Sequence, residues 1–143
     1  MLCSFAVSLC ISKLELHKDT EQYAKINEAI KNVGYKLKSD VIQYSIVKYE
    51  TGHFIYKHNH IPDAPSYLTC VIQMSDGDDY EGGDLLYWID GEKNVVDRNI
   101  GFGIIMSPDI DHEVTLITNG TRYSFVLFLE LFKIEPLFNK AMI

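Results

Sequence analysis

The sequence is poor in positive charge. Thirteen Lys and Arg stand against twenty Asp and Glu over 143 residues, a formal net charge of −7, and no run of basic residues occurs. Neutralising a phosphate backbone requires a basic surface, so a general nucleic-acid binder is excluded. Cysteine is scarce as well. Cys3, Cys10 and Cys70 are odd in number and show no CxxC spacing, which fits reduced, buried thiols in a cytoplasmic compartment better than a disulfide framework. Long apolar runs are missing. The start, MLCSFAVSLCISKLEL, is too short to span a bilayer, lacks the charged flank and convincing cleavage site of a signal peptide, and reads as a buried strand. No membrane segment, internal repeat, low-complexity stretch or linker is expected.

What is present is 47% hydrophobic content, enough apolar mass for one core at this length, with no second full domain. An amphipathic helix is predicted over residues 20–33. Asp19 and Gln22 resemble a capping box, Tyr23, Ile26, Ile30 and Val33 recur at helical spacing, and Gly34 falls where a C-terminal cap belongs. Beyond it the period changes to two. The runs VIQYSIVKYE, SYLTCVIQM, DLLYWI, IGFGIIMS, HEVTLI and TRYSFVLFLELF are separated by PDAPS, SDGDDYEGG, DGEKN, SPDID and TNGT, a succession of short strands and Gly/Asp-rich turns. This pattern predicts a mainly β sandwich or barrel packed on one helix. The last residues, from about Lys133, read as a short helix or a tail.

The stretch YETGHFIYKHNH places His53, His58 and His60 within eight residues. On a strand, residues two apart share a face, so His58 and His60 should point into one space. His112, far along the chain in SPDIDHEV, opens an apolar strand and supplies a distant third imidazole, the combination from which a β-barrel builds a facial metal site. His53 and His17 read as surface or structural residues. Arg122 lies on an otherwise apolar strand and shares a face with Ser124, Val126 and Phe128, while Phe125, Leu127 and Leu129 belong to the core on the opposite face. A buried guanidinium needs an anion, and a carboxylate held in bidentate fashion meets that need.

Taken in order, Tyr49…Gly52…His58-Asn59-His60, Tyr80-Glu81-Gly82-Gly83-Asp84-Leu85, Pro108…His112-Glu113-Val114 and Gly120-Thr121-Arg122-Tyr123-Ser124 resemble the Fe(II)- and 2-oxoglutarate-dependent dioxygenases of the prolyl 4-hydroxylase-like branch. The resemblance covers roughly residues 41–132 within a single domain of 1–143. It implies a double-stranded β-helix, or jelly roll, with Fe(II), 2-oxoglutarate and O2, and with ascorbate as a further candidate cofactor. The reaction implied is hydroxylation of a protein side chain, prolyl among the candidates, or of a small molecule, coupled to decarboxylation of 2-oxoglutarate to succinate.

Carried over by position, the resemblance implies His58 and His112 as metal ligands and Arg122 as partner of the distal 2-oxoglutarate carboxylate, with Ser124 beside it. Tyr49, Thr69, Val71, Gln73, Leu85 and Tyr87 are implied as lining of the cosubstrate pocket. Substrate contacts are expected from loops near 61–66, 75–82 and 90–99. The departure is His60, which stands where the family has a carboxylate. A third neutral imidazole leaves the site more positive, so three arrangements stay open: a three-histidine site, a two-histidine site completed by water or Asp63, or a site without turnover. The alternatives in function are a three-histidine dioxygenase without cosubstrate and a catalytically impaired metal-binding scaffold. A homo-oligomer is left open.

Overall fold

The structure, a computed structural model, describes residues 6–10, 21–32, 34–37, 43–65 and 67–133. Asp19 of the expected cap, Cys3, His17 and the expected tail beyond residue 133 lie outside the described residues. The chain runs β1 (Ala6–Cys10), α1 (Glu21–Lys31), β2 (Tyr35–Leu37), β3 (Gln43–Tyr49), β4 (Ile55–His58), β5 (Tyr67–Gln73) and β6 (Tyr80–Gly82). It continues through β7 (Leu85–Ile89), β8 (Glu92–Val95), β9 (Phe102–Met106), β10 (His112–Val114), β11 (Ile117–Gly120) and β12 (Arg122–Lys133). Mostly strand with one helix among the described residues, it has the composition the alternation predicts.

All strand pairings among the described residues are antiparallel. The larger sheet has the order β1-β9-β5-β12-β2, with β3 also paired to β12; the smaller runs β4-β10-β7-β8; β11 and β6 form a separate pair. β5 and β12 are the spine of the larger sheet, in register from Ser124 opposite Gln73 to Glu130 opposite Tyr67. Period-two alternation sorts their side chains onto two faces. Leu68, Cys70, Ile72, Phe125, Leu127 and Leu129 pack with Ile105 beneath Ile26 and Ile30 of α1. The residues between them point the other way, where Val71, Ile104 and Met106 meet Leu85, Val96, Val114 and Ile117. Being covered on both faces makes β5 a near-continuous buried run. Burying each large aliphatic side chain contributes about 1.5–3 kcal/mol, so these two layers hold the larger sheet between helix and smaller sheet.

The helix ends where its sequence stops supporting it. Gly34 adopts φ 89° and its N–H donates to the Lys31 carbonyl at 3.0 Å, the left-handed cap expected there. The Tyr80–Leu85 segment needs its two glycines for space as well as backbone freedom. Gly82 and Gly83 have φ of 71° and 66°, and a Cβ on either would overlap the Leu116 carbonyl or the Ile117 side chain. Arg98 fastens this segment: Nη1 donates to the Gly82 carbonyl and Asp84 Oδ1, both at 2.7 Å, and Nη2 to the carbonyls of Tyr80 at 2.7 Å and Gly77 at 3.0 Å. Asp84 is also bonded in both directions to Thr115. Leu85 thereby enters β7 at a defined place against the smaller sheet.

Candidate metal centre

His58 and His112 come together because β4 pairs with β10 in a register that sets the two residues opposite each other. Their ring centroids are 4.3 Å apart. His60 reaches the same point by a different route. β4 ends at His58, so His60 lies in the turn after the strand and not on it, contrary to the strand parity expected from the sequence. Its backbone N–H donates to the Pro108 carbonyl at 2.8 Å, which ties that turn to the segment leading into β10. The two Nε2 atoms of His58 and His60 end 3.3 Å apart. One ligand atom from each of His58, His60 and His112 lies within 4.8 Å of the others.

The hydrogen bonds on the opposite ring nitrogens decide which atoms face inward. His58 Nδ1 is 2.7 Å from the Tyr56 carbonyl and His112 Nδ1 is 2.9 Å from the Ile110 carbonyl. A carbonyl oxygen only accepts, so both Nδ1 atoms carry the proton and both Nε2 lone pairs are free. His60 Nδ1 meets the Thr69 hydroxyl at 2.8 Å. Nitrogens bound about 2.1 Å from one divalent ion lie about 3.0–3.4 Å from each other at 90–109°, the separation seen between His58 and His60. Burial pushes the His112 pKa down to about 4, and burial with the neighbouring His58 lowers that of His60. Both are neutral near pH 7, the state a metal requires. The donor set therefore fits a divalent metal ion.

The histidines stand at one end of a cavity of about 250 Å³. Tyr49, Thr69, Val71 and Leu85 line it, with Val47, Val126 and Phe128 from the larger sheet and Ile55, Glu113 and Val114 from the smaller. Tyr87 and Gln73 do not. Tyr87 packs at the border of the inner apolar cluster, and Gln73 is turned to Arg122, its Oε1 accepting from Nη2 at 2.9 Å. Among the described residues no side chain of the 75–82 or 90–99 loops lines the cavity; Asp63 and Ala64 border a neighbouring recess with Tyr67 and Phe128. Asp63 is outside the histidine cluster. His53 is exposed and closes the turn before β4 by accepting from the Glu50 N–H at 3.0 Å.

Arg122 is the least expected charge in the molecule by position. It is 0% exposed, its guanidinium carbon lies 4.8 Å from the centre of the Tyr49 ring, and its Nε and Nη1 have no hydrogen-bond partner. Ser124 Oγ and the Tyr80 hydroxyl are likewise buried without one. Such groups cost about 1–3 kcal/mol each when left unsatisfied, more when charged, so donors left open in the interior mark a place for an acceptor. Arg122 and Ser124 lie outside the cavity wall, but on the same strand face as Val126 and Phe128, and Tyr49 borders both regions. Sequence reasoning missed Ser45, Val47, Ile55 and Glu113 in the wall; the alternation Ser45, Val47, Tyr49 on β3 was the available signal.

Antiparallel sheets thus surround a histidine cluster with a buried arginine beside it. Compared by sequence, the chain matches no family model and no curated protein. Compared by structure, it is similar to an oxidoreductase of the 2OG-Fe(II) oxygenase family from Burkholderia pseudomallei, with a TM-score of 0.60 and 23% identity over 75% of this chain. It is similar to a prolyl-4-hydroxylase from Pseudomonas putida, at 0.56 and 19% over 80% of this chain and 69% of that one. A prolyl hydroxylase from Trichoplax adhaerens, in complex with a hypoxia inducible factor oxygen degradation domain peptide fragment, gives 0.56 and 13% over 87% of this chain and 62% of that one. The chain spans about half, 51%, of the Burkholderia protein. The fold is that of the 2OG-Fe(II) oxygenases, prolyl hydroxylases among them.

Proposed function

We propose that this chain is an Fe(II)- and 2-oxoglutarate-dependent oxygenase that hydroxylates a protein side chain, prolyl among the candidates, or a small molecule. In this reading the two main sheets are the halves of a jelly roll, residues 1–143 form one oxygenase domain, and the cytoplasm is its proposed compartment. The Nε2 atoms of His58, His60 and His112 hold the iron, Arg122 and Ser124 take the distal carboxylate of 2-oxoglutarate, and Tyr49, Val71 and Leu85 flank it. When bound, iron and 2-oxoglutarate would let O2 serve as the oxidant, one oxygen atom going to succinate as CO2 is lost and the other to the hydroxylated substrate. The chain's own residues do the remainder: the carbonyls of Tyr56 and Ile110 orient two ligands, and the apolar wall keeps water from the reacting centre.

The observation that carries the proposal is Arg122, a fully buried cation with two donor nitrogens open beside the three-histidine cavity. A three-histidine dioxygenase without cosubstrate has no use for that cation, which speaks against the alternative. The deciding experiment is calorimetric titration of 2-oxoglutarate into the metal-loaded chain under nitrogen, followed by assay for succinate. Binding with succinate formation is expected. Absence of 2-oxoglutarate binding to a fully loaded chain would remove this function.

A further inference from the structure

The three histidines are not oriented alike. His58 and His112 each donate Nδ1–H to the carbonyl two residues earlier in the chain, so the backbone that places them also aims them. His60, in the turn beyond β4, has no such local acceptor. Its ring is held by Thr69 Oγ1 at 2.8 Å, from a buried residue, 2% exposed, on β5 of the other sheet. From the placement of that bond we infer that Thr69 is the positioning residue of the third metal ligand, and that its hydroxyl is what allows imidazole to serve at position 60. The inference rests on the three-histidine reading of the site.

The chemistry of a hydroxyl explains the choice. With both lone pairs bare, His58 Nε2 and His60 Nε2 at 3.3 Å would repel. Without metal, His60 relieves this by carrying its proton on Nε2 and donating to His58, while the Thr69 hydroxyl donates to Nδ1. With metal, the proton sits on Nδ1 and Thr69 Oγ1 accepts it. A hydroxyl both donates and accepts, so one rotation serves both tautomers and the ring stays in place. A carbonyl could accept only the second tautomer. The exchange leaves the number of protons on His60 unchanged, so metal uptake draws no proton from it.

The test uses the full chain with Co(II) and Zn(II), competed against a chelator in the absence of 2-oxoglutarate. Loss of a group that orients a ligand costs about 10–100-fold in metal affinity. Thr69→Val, which keeps the shape and removes the hydroxyl, should lose affinity in that range and shift the Co(II) absorption bands, whereas Thr69→Ser should bind within about threefold of the natural chain on the same scale. His60→Ala separates the two ways of failing. If His60→Ala weakens binding and Thr69→Val does not, Thr69 is no positioning residue. If His60→Ala binds metal as tightly as the natural chain, the three-histidine reading falls and the Thr69 inference with it. Should Thr69→Val fail to fold, the nitrogen-15 spectrum of the natural chain decides. Protonation of His60 at Nε2 without metal and at Nδ1 with Zn(II) is expected, and a single tautomer in both states overturns the inference.

Discussion

His58 and His112 face each other across β4 and β10 as direct register partners, and just beyond the strand ends Asn59 Nδ2 donates to Asp111 Oδ1 at 3.0 Å. Each ring is aimed by a carbonyl of its own segment. The pair is thus built into the sheet, and removing either histidine leaves two candidate ligands. Alanine at either position should abolish stoichiometric Fe(II) binding with little change in fold, checked by metal analysis after anaerobic loading and by circular dichroism. Full iron content in either variant contradicts the assignment.

Position 60 sets the charge of the centre. His60→Asp replaces a neutral ligand by an anion and lowers the positive charge near the ion. Fe(II) binding should persist and 2-oxoglutarate decarboxylation should be maintained or raised, while His60→Ala weakens the metal and His53→Ala changes neither. Succinate yield per bound iron is the measurement. A His60→Asp chain that loads iron but forms less succinate than the natural chain counts against a site of this charge logic.

Arg122 is predicted to govern the cosubstrate and not the metal. Arg122→Ala should weaken 2-oxoglutarate binding by about 2–5 kcal/mol, the range for truncating one partner of a buried charge pair, with iron affinity nearly unchanged. In the natural chain 2-oxoglutarate should also raise the unfolding temperature, since it binds only the folded state. Equal thermal shifts in chain and variant would make the arginine structural.

The metal-free chain should lose stability as pH falls from about 6.5 toward 4. Burial lowers the pKa of His112 to about 4 and that of His60 in the same direction, so in this window the unfolded chain binds more protons than the folded one, and stability rises with pH. For His112 the difference is about 3 kcal/mol at about 1.4 kcal/mol per pH unit, present in full above the unfolded value and lost on acidification until the folded value is passed. Urea unfolding with chelator at several pH values measures it. His112→Gln should flatten the dependence; an identical slope would locate the effect in other groups.

Arg98 ties Gly77, Tyr80, Gly82 and Asp84 together. Arg98→Ala should cost about 2–4 kcal/mol, less than the sum of its bonds because the side chain is partly solvated. Amide exchange should rise first through residues 77–84. Unaltered exchange there would show that the glycine packing alone holds the segment.

Several features were legible in the sequence because they depend on local rules. The helix cap at Gly34, the opposite faces of Arg122 and Phe125, and the mainly β character follow from backbone preference and period-two alternation, and the structure has each. The two-residue spacing of His58 and His60 was legible too, but for the wrong reason. Parity predicts convergence only if the strand continues, and β4 stops at His58.

What brings His60 to His58 is the Pro108 carbonyl on its backbone and Thr69 on its ring, contacts that no spacing encodes. Gln73 and Tyr87 show the same limit. Each lies on a strand near the site, but one is drawn to Arg122 and the other to the inner core, because strand pairing decides which side chains meet after alternation has decided only which way they point. By itself the sequence determined the elements, the faces of their side chains and the residue types able to hold a metal and an anion. Only the tertiary structure decided which of them share a space, since sheet register, the turn after β4 and the burial that leaves Nε and Nη1 of Arg122 unpartnered all arise from contacts between residues far apart in the chain.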